Sequence, residues 1–182
     1  MNIKERAGKI KMILMDVDGT LTDGTLTVLP DGEELKSYYV RDGMGILMAH
    51  LMGLKTGIIT GKKSKALEKR ASKLYISELH QGIFNKKQTL EEICRKHELD
   101  FQEIAYIGDD LGDLPVIKVV GLSAAVADAH PEIKKHSHMI CTLYGGKGAV
   151  REFIDIILES QGYTWDAIEE KFIALWTKKN TI

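Results

Sequence analysis

A chain of 182 residues with a formal net charge of -1 carries no broad field to draw in nucleic acid or an anionic membrane. Hydrophobic residues at 44% and charged residues at 28% suit one globular domain over residues 1–182, and no apolar run approaches the roughly 20 residues of a membrane span. The N-terminus lacks an apolar signal core, and Cys94 and Cys141 have neither metal-site nor redox spacing, so a cytoplasmic chain with reduced core thiols is expected.

The first element is a buried strand over Lys11–Met15 that runs without a polar spacer into Asp16-Val17-Asp18-Gly19. Thr25–Leu29 and Glu33–Val40 then read as a β-hairpin, residues 25–40, turning at Pro30-Asp31-Gly32. Asp42 is the expected N-cap of a helix over Gly43–Leu51, whose Met44 and Met48 point to the core with Met52, and Gly53 is its stop. A second buried strand, Leu54–Ile59, ends at Thr60-Gly61, and Ser64 caps a helix over Lys65–Leu74. A short strand over Tyr75–Leu79 and a helix over Lys86–His97 follow. The third buried strand, Ile104–Ile107, ends in the acidic loop Gly108-Asp109-Asp110-Leu111-Gly112-Asp113. Leu114–Val119, Leu122–Val126 and His130–His136 continue the alternation, and Met139–Cys141 is a last short strand. His136 and His138 have a spacing that suits a metal pair on a strand, but without a third ligand they read as surface histidines. The basic loop Gly145-Gly146-Lys147-Gly148 precedes a helix over Ala149–Ser160, and the tail 163–182 holds a second amphipathic helix with Trp165, Ile168, Phe172 and Trp176.

Strands alternating with helices predict an α/β fold, a doubly wound parallel sheet with a hairpin insertion after the first strand. Such sheets bind ligands beyond the carboxyl ends of their strands. Asp16 and Asp18, Thr60, and Asp109 with Asp113 all fall at such ends, so one topology brings three separated signals to one mouth. Two readings of Asp16 and Asp18 stand side by side, a pair of turn residues and a pair of chemical groups. As chemical groups, two close carboxylates invite a hard cation; magnesium suits them because it takes one or two carboxylates, keeps several waters and leaves room for a phosphate oxygen.

A phosphate monoester needs a nucleophile, a proton donor for the leaving alcohol and groups that hold the transferring oxygens. Asp16 is the candidate nucleophile and Asp18 the candidate acid and base. Asp109 offers the cation a further ligand, and Asp113 an outer role in its shell. Thr60 and the amide of Gly61 suit phosphoryl oxygens, and Lys86 is the lysine chosen to offset charge between nucleophile and phosphate.

Asp16-Val17-Asp18-Gly19-Thr20-Leu21-Thr22, Thr60-Gly61, Lys86 and Gly108-Asp109-Asp110-x-x-Asp113 together resemble the four ordered motifs of the haloacid dehalogenase superfamily of phosphatases. The resemblance implies that Asp16 is the nucleophile and Asp18 the acid and base, with Mg2+ bound by Asp16, the backbone carbonyl of Asp18, and Asp109. Neither gap between motifs has room for a large cap domain, which makes the chain resemble the capless branch. Gly32-Glu33-Glu34-Leu35-Lys36, Val40-Arg41-Asp42-Gly43, Gln81-Gly82, Asn85-Lys86, the run Val126–Pro131 and the run Gly145–Glu152 extend the similarity to its 3-deoxy-D-manno-octulosonate 8-phosphate phosphatases. That resemblance implies a sugar phosphate substrate, a role in lipopolysaccharide precursor synthesis, and a homotetramer whose neighbouring hairpins and tails cover each mouth. It also implies that Lys62, standing where arginine is common, meets a sugar carboxylate. Arg41 and Lys147 admit two readings, substrate contacts or surface charges; as a substrate contact, Lys147 is expected to act across a subunit boundary. The other functions to be weighed are a phosphatase for a nine-carbon sialic-type sugar 9-phosphate and a non-catalytic oligomerisation module.

Overall fold

In the computed structural model, which describes residues 1–179, helix α1 (Ile3–Ala7) leads into strand β1 (Met12–Met15). The hairpin strands β2 (Thr27–Val28) and β3 (Glu34–Leu35) follow, then α2 (Val40–Leu51), β4 (Lys55–Thr60), α3 (Lys65–Lys73), β5 (Glu78–Gln81) and α4 (Lys86–His97). The second half carries β6 (Ile104–Gly108), α5 (Leu114–Ile117), β7 (Leu122–Ala125), α6 (Pro131–His136), β8 (Met139–Ile140), α7 (Ala149–Ser160) and α8 (Trp165–Lys179). Six strands form one sheet in the order β5-β4-β1-β6-β7-β8, every pair parallel. Helices α1, α2, α7 and α8 pack together, and α4, α5 and α6 form a second set. Covered on both faces, β1 is apolar at every position, Met12, Ile13, Leu14 and Met15 all being buried.

The chain leaves β1 for β4 and β5 on one side, then crosses back to β6 on the other, so β1 lies at the switch between the two halves. Register puts Met15 opposite both Ile58 and Ile107, which brings the carboxyl ends of β1, β4 and β6 level.

Several local expectations are corrected. The hairpin is a ribbon of two residues per strand, because both strands are solvent-exposed and no sheet or core extends the pairing. Helix α2 begins at Val40, with extended Tyr39 in the capping position and Asp42 inside the first turn. Asp42 is instead buried and accepts from the backbone N–H of Arg151 at 2.9 Å. It thereby serves the N-terminus of α7, whose own capping residue, Gly148, has no side chain to offer. Strand β5 starts at Glu78 because the register with β4 runs from Gly57–Glu78 to Thr60–Gln81, while Tyr75 takes a left-handed turn at φ 56°. His138 is half-buried, its Nδ1 accepting from the Ser123 amide at 3.0 Å. The tail packs on its own chain, with Tyr163 Oη donating to the Met52 carbonyl at 2.9 Å and Ile168 buried. The side chain of Trp176 and residues 180–182 lie outside the described residues.

Candidate active site

Asp16 is the first residue past β1, and its amide continues the parallel ladder to the Ile107 carbonyl at 3.1 Å. The chain then folds tightly around one acceptor, the Val17 carbonyl, which takes the amides of Thr20, Leu21 and Thr22 at 3.2, 2.9 and 2.9 Å. Gly19 makes that turn at φ +91°, and a Cβ there would stand 2.1 Å from Asp109 Oδ2. The loop after β1 is thus pressed against the loop after β6, and Thr20 Oγ1 donates to Asp109 Oδ1 at 2.9 Å.

Lys86 is the first residue of α4, fixed by Asn85, whose side chain caps the helix through the Gln88 amide. Its Nζ lies 2.6 Å from Asp16 Oδ1 and 2.7 Å from Asp113 Oδ1, and all three side chains are buried. Tyr106, fully buried within β6, donates its hydroxyl to the same Asp113 oxygen at 2.6 Å. Asp113 Oδ2 accepts the amides of Asp109 and Asp110 at 2.9 and 3.3 Å. Both Asp113 oxygens are therefore committed to organising their neighbours.

One ammonium faces three carboxylates here. Burial and the Asp113 charge push the Asp16 carboxyl up to about 6, against the pull of Lys86. Burial, with Asp16 and Asp113 nearby, pushes the Asp109 carboxyl up to about 8. Burial works against the Lys86 charge, but Asp16 and Asp113 outweigh it and hold that pKa above its ordinary value.

This excess of negative charge is what a divalent cation would relieve. Carboxylate oxygens of Asp16, Asp109 and Asp113 lie within 4.8 Å of one another. Asp16 is bonded by Lys86 and by the Val17 amide, and Thr20 takes Oδ1 of Asp109, which leaves Asp109 Oδ2 without a hydrogen-bond partner among the described residues. The Asp18 backbone carbonyl likewise has none among them. Carboxylate and carbonyl oxygens are the hard donors that magnesium takes.

The other sequence candidates form the rim. Asp18 is partly exposed, with Oδ1 paired to Lys36 Nζ from the hairpin. Thr60 is buried at the end of β4, its carbonyl accepting from Ile83, and Gly61 is exposed just beyond it. Lys62 is half-buried and pairs with Glu34 of β3 at 3.1 Å, at the edge of a cleft of about 520 Å³ that Lys36, Lys63 and Lys65 also line. Lys147 is exposed and lies 3.8 Å from Asp23; its loop rests on the loop of the nucleophile candidate in the same chain, Gly146 N–H donating to the Thr20 carbonyl at 2.9 Å. Arg41 is exposed in the first turn of α2 and makes no hydrogen bond or ion pair among the described residues. Asp16, Asp109, Asp113 and Lys86 are therefore brought together directly, Asp18, Thr60, Lys62 and Lys147 flank them, and the Arg41 side chain has no polar partner among the described residues.

Thr20, Tyr106 and Lys36 were not singled out by sequence reasoning. A hydroxyl in the otherwise apolar strand Ile104-Ala105-Tyr106-Ile107 was the available signal for Tyr106, and the alternation Glu34-Leu35-Lys36 for Lys36.

Residues 51–154 match the haloacid dehalogenase-like hydrolase family. The 3-deoxy-D-manno-octulosonate 8-phosphate phosphatase KdsC of Escherichia coli strain K12 is 43% identical over 157 residues, which cover 86% of this chain and 84% of that one. The crystal structure of the Yersinia pestis 3-deoxy-D-manno-octulosonate 8-phosphate phosphatase superposes with a TM-score of 0.87 at 42% identity, over 92% of this chain and 88% of that one. The Moraxella catarrhalis enzyme of the same name, in complex with magnesium ion, phosphate ion and KDO, gives 0.89 at 37% identity over 93% and 97%.

Proposed function

The chain belongs to the haloacid dehalogenase-like hydrolase family, and from that premise we propose that it is a magnesium-dependent phosphatase that hydrolyses 3-deoxy-D-manno-octulosonate 8-phosphate to the free sugar acid and phosphate. The observation that carries this reading is the meeting of Asp16 and Asp109, from the ends of β1 and β6, beside the ammonium of Lys86.

Asp16 attacks phosphorus through a carboxylate oxygen while the bond from phosphorus to the sugar oxygen breaks, and Asp18 gives its proton to that oxygen. Water then attacks the aspartyl-phosphate, its proton passes to Asp18, and the bond to Asp16 breaks, which restores both carboxyl groups. Lys86 offsets charge between nucleophile and phosphate, and it is itself held by Asp113, which Tyr106 orients. Thr60 and the Gly61 amide take phosphoryl oxygens. Magnesium, held by Asp16, Asp109 and the Asp18 carbonyl, would supply the positive charge that lets a phosphate dianion approach a carboxylate. Lys62 meets the carboxylate of the sugar acid, and Arg41 and Lys147 are substrate contacts, Lys147 across a subunit boundary.

The whole chain is one capless catalytic domain that acts in the cytoplasm, in lipopolysaccharide precursor synthesis, as a homotetramer whose subunits cover one another's mouths. Exposed Val28, Leu35, Val40, Phe84 and Tyr144 support the assembly, since all lie in segments that leave the carboxyl ends of sheet strands, around an otherwise open mouth. No helix among the described residues is long and apolar enough to cross a membrane.

The test is phosphate release by the purified protein with magnesium, from the eight-carbon sugar acid 8-phosphate and from a nine-carbon sialic-type 9-phosphate, with Asp16→Asn alongside. Release from the eight-carbon ester that Asp16→Asn abolishes is expected. Release from neither ester would make the chain a non-catalytic module, and preference for the longer sugar would move the substrate. Sedimentation velocity reads the tetramer.

A further inference from the structure

Both strands of the hairpin are solvent-exposed, but the side chain of Lys36, just past β3, is not. Alternation along β3 puts Glu34 and Lys36 on one face of the ribbon and Leu35 on the other, and Leu35 is exposed. On the inward face Glu34 meets Lys62, while the Lys36 side chain is only 3% exposed, with Nζ on Asp18 Oδ1. A lysine on a thin surface ribbon ordinarily keeps its ammonium in water. This one is withdrawn against the single mouth carboxylate that the inner network leaves alone, because Lys86 holds Asp16 and Asp113 and Thr20 holds Asp109.

We infer that Lys36 is a positioning residue for Asp18: it fixes the carboxylate through Oδ1 and leaves Oδ2 to exchange a proton with the leaving oxygen and then with water. The inference rests on the acid and base role proposed for Asp18. Lys36 keeps its own proton throughout, so the proton count of the two half-reactions is unchanged. The ribbon thereby reports its own placement to the chemistry, since Asp18 is held only while the hairpin lies over the mouth.

Lys36→Met and Lys36→Arg are compared with wild type, with magnesium, on the sugar phosphate and on 4-nitrophenyl phosphate, whose leaving phenolate needs little help from an acid. For Lys36→Met, kcat on the sugar ester is expected to fall by about 100-fold with KM nearly unchanged, the scale of lost general acid catalysis, and the aryl ester is expected to lose less than about tenfold. Lys36→Arg restores most of the sugar-ester rate, and matching melting temperatures exclude unfolding as the cause. A raised KM at unchanged kcat would make Lys36 a substrate contact and overturn the inference, as would equal losses on both esters. A wild type that hydrolyses neither ester would overturn the phosphatase reading, and this inference with it.

Discussion

The floor of the mouth and its rim are built on different principles. On the floor, Lys86, Asp16, Asp113 and Tyr106 are buried, come from the first turn of α4, the loop after β1, the loop after β6 and β6 itself, and hold one another by bonds of 2.6 to 2.7 Å. On the rim, Lys62 in the loop after β4 reaches Glu34 on a two-residue strand, and Lys147 reaches Asp23 at 3.8 Å with both side chains in water. Buried charges must be paired, and losing one partner is severe, whereas exposed pairs contribute about 0 to 1 kcal/mol. The floor is thus fixed by buried pairing, and the rim by pairs that contribute little to the fold.

Removing the floor's only cation should have the largest effect. Lys86→Met, unfolded by urea in chelator at about pH 8, is expected to lose about 3–5 kcal/mol, because two buried carboxylates lose their counter-charge. A loss under about 1 kcal/mol would mean that the floor is no more tightly coupled than the rim.

The next contrast uses pH. Burial and neighbouring charge hold the Asp16 and Asp109 carboxyls at about 6 and about 8 in the fold, against an ordinary 3.8. A carboxyl with a raised folded pKa binds its proton more tightly in the folded state. Its contribution to stability is therefore complete below the unfolded value and is lost as pH rises through the folded one. In chelator, melting temperature should fall between about pH 4 and about pH 8. Magnesium should restore it, by an increment that grows with pH as the competing protons leave. An increment independent of pH would argue against these carboxyls as the metal's ligands.

At the rim the effects shrink. Lys62→Ala should raise KM for the sugar acid phosphate by about tenfold with kcat within about twofold, and should change stability by under about 0.5 kcal/mol. Urea unfolding and initial rates separate the two readouts, and a large fall in kcat would move Lys62 from the rim to the floor.

The same division explains what was legible in the sequence. Three apolar strands that stop abruptly at Asp16, Thr60 and Gly108-Asp109 announced both the parallel sheet and the place where its ends converge, because burial on two faces leaves little freedom in composition. The helix over Lys86–His97 was legible to the residue from its apolar face, Leu90, Ile93 and Cys94. The hairpin was overextended, since β-rich composition cannot reveal that nothing lies beside the ribbon to pair with or bury it. Asp42 was misread for a related reason: an aspartate before an apolar periodic run signals a local cap, and only the folded chain brings it to the start of a helix more than a hundred residues away. Lys36 and Tyr106 carried only a faint local signal, because their partners Asp18 and Asp113 are set by the fold.

Gly19 leads to a requirement of a different kind. With Asp109 Oδ2 standing 2.1 Å from where a methyl group would begin, the missing side chain is a structural component in its own right, a vacancy that lets the loop after β1 close on the loop after β6. A designer transplanting these acids onto another parallel sheet would have to reserve that empty volume before choosing a single ligand.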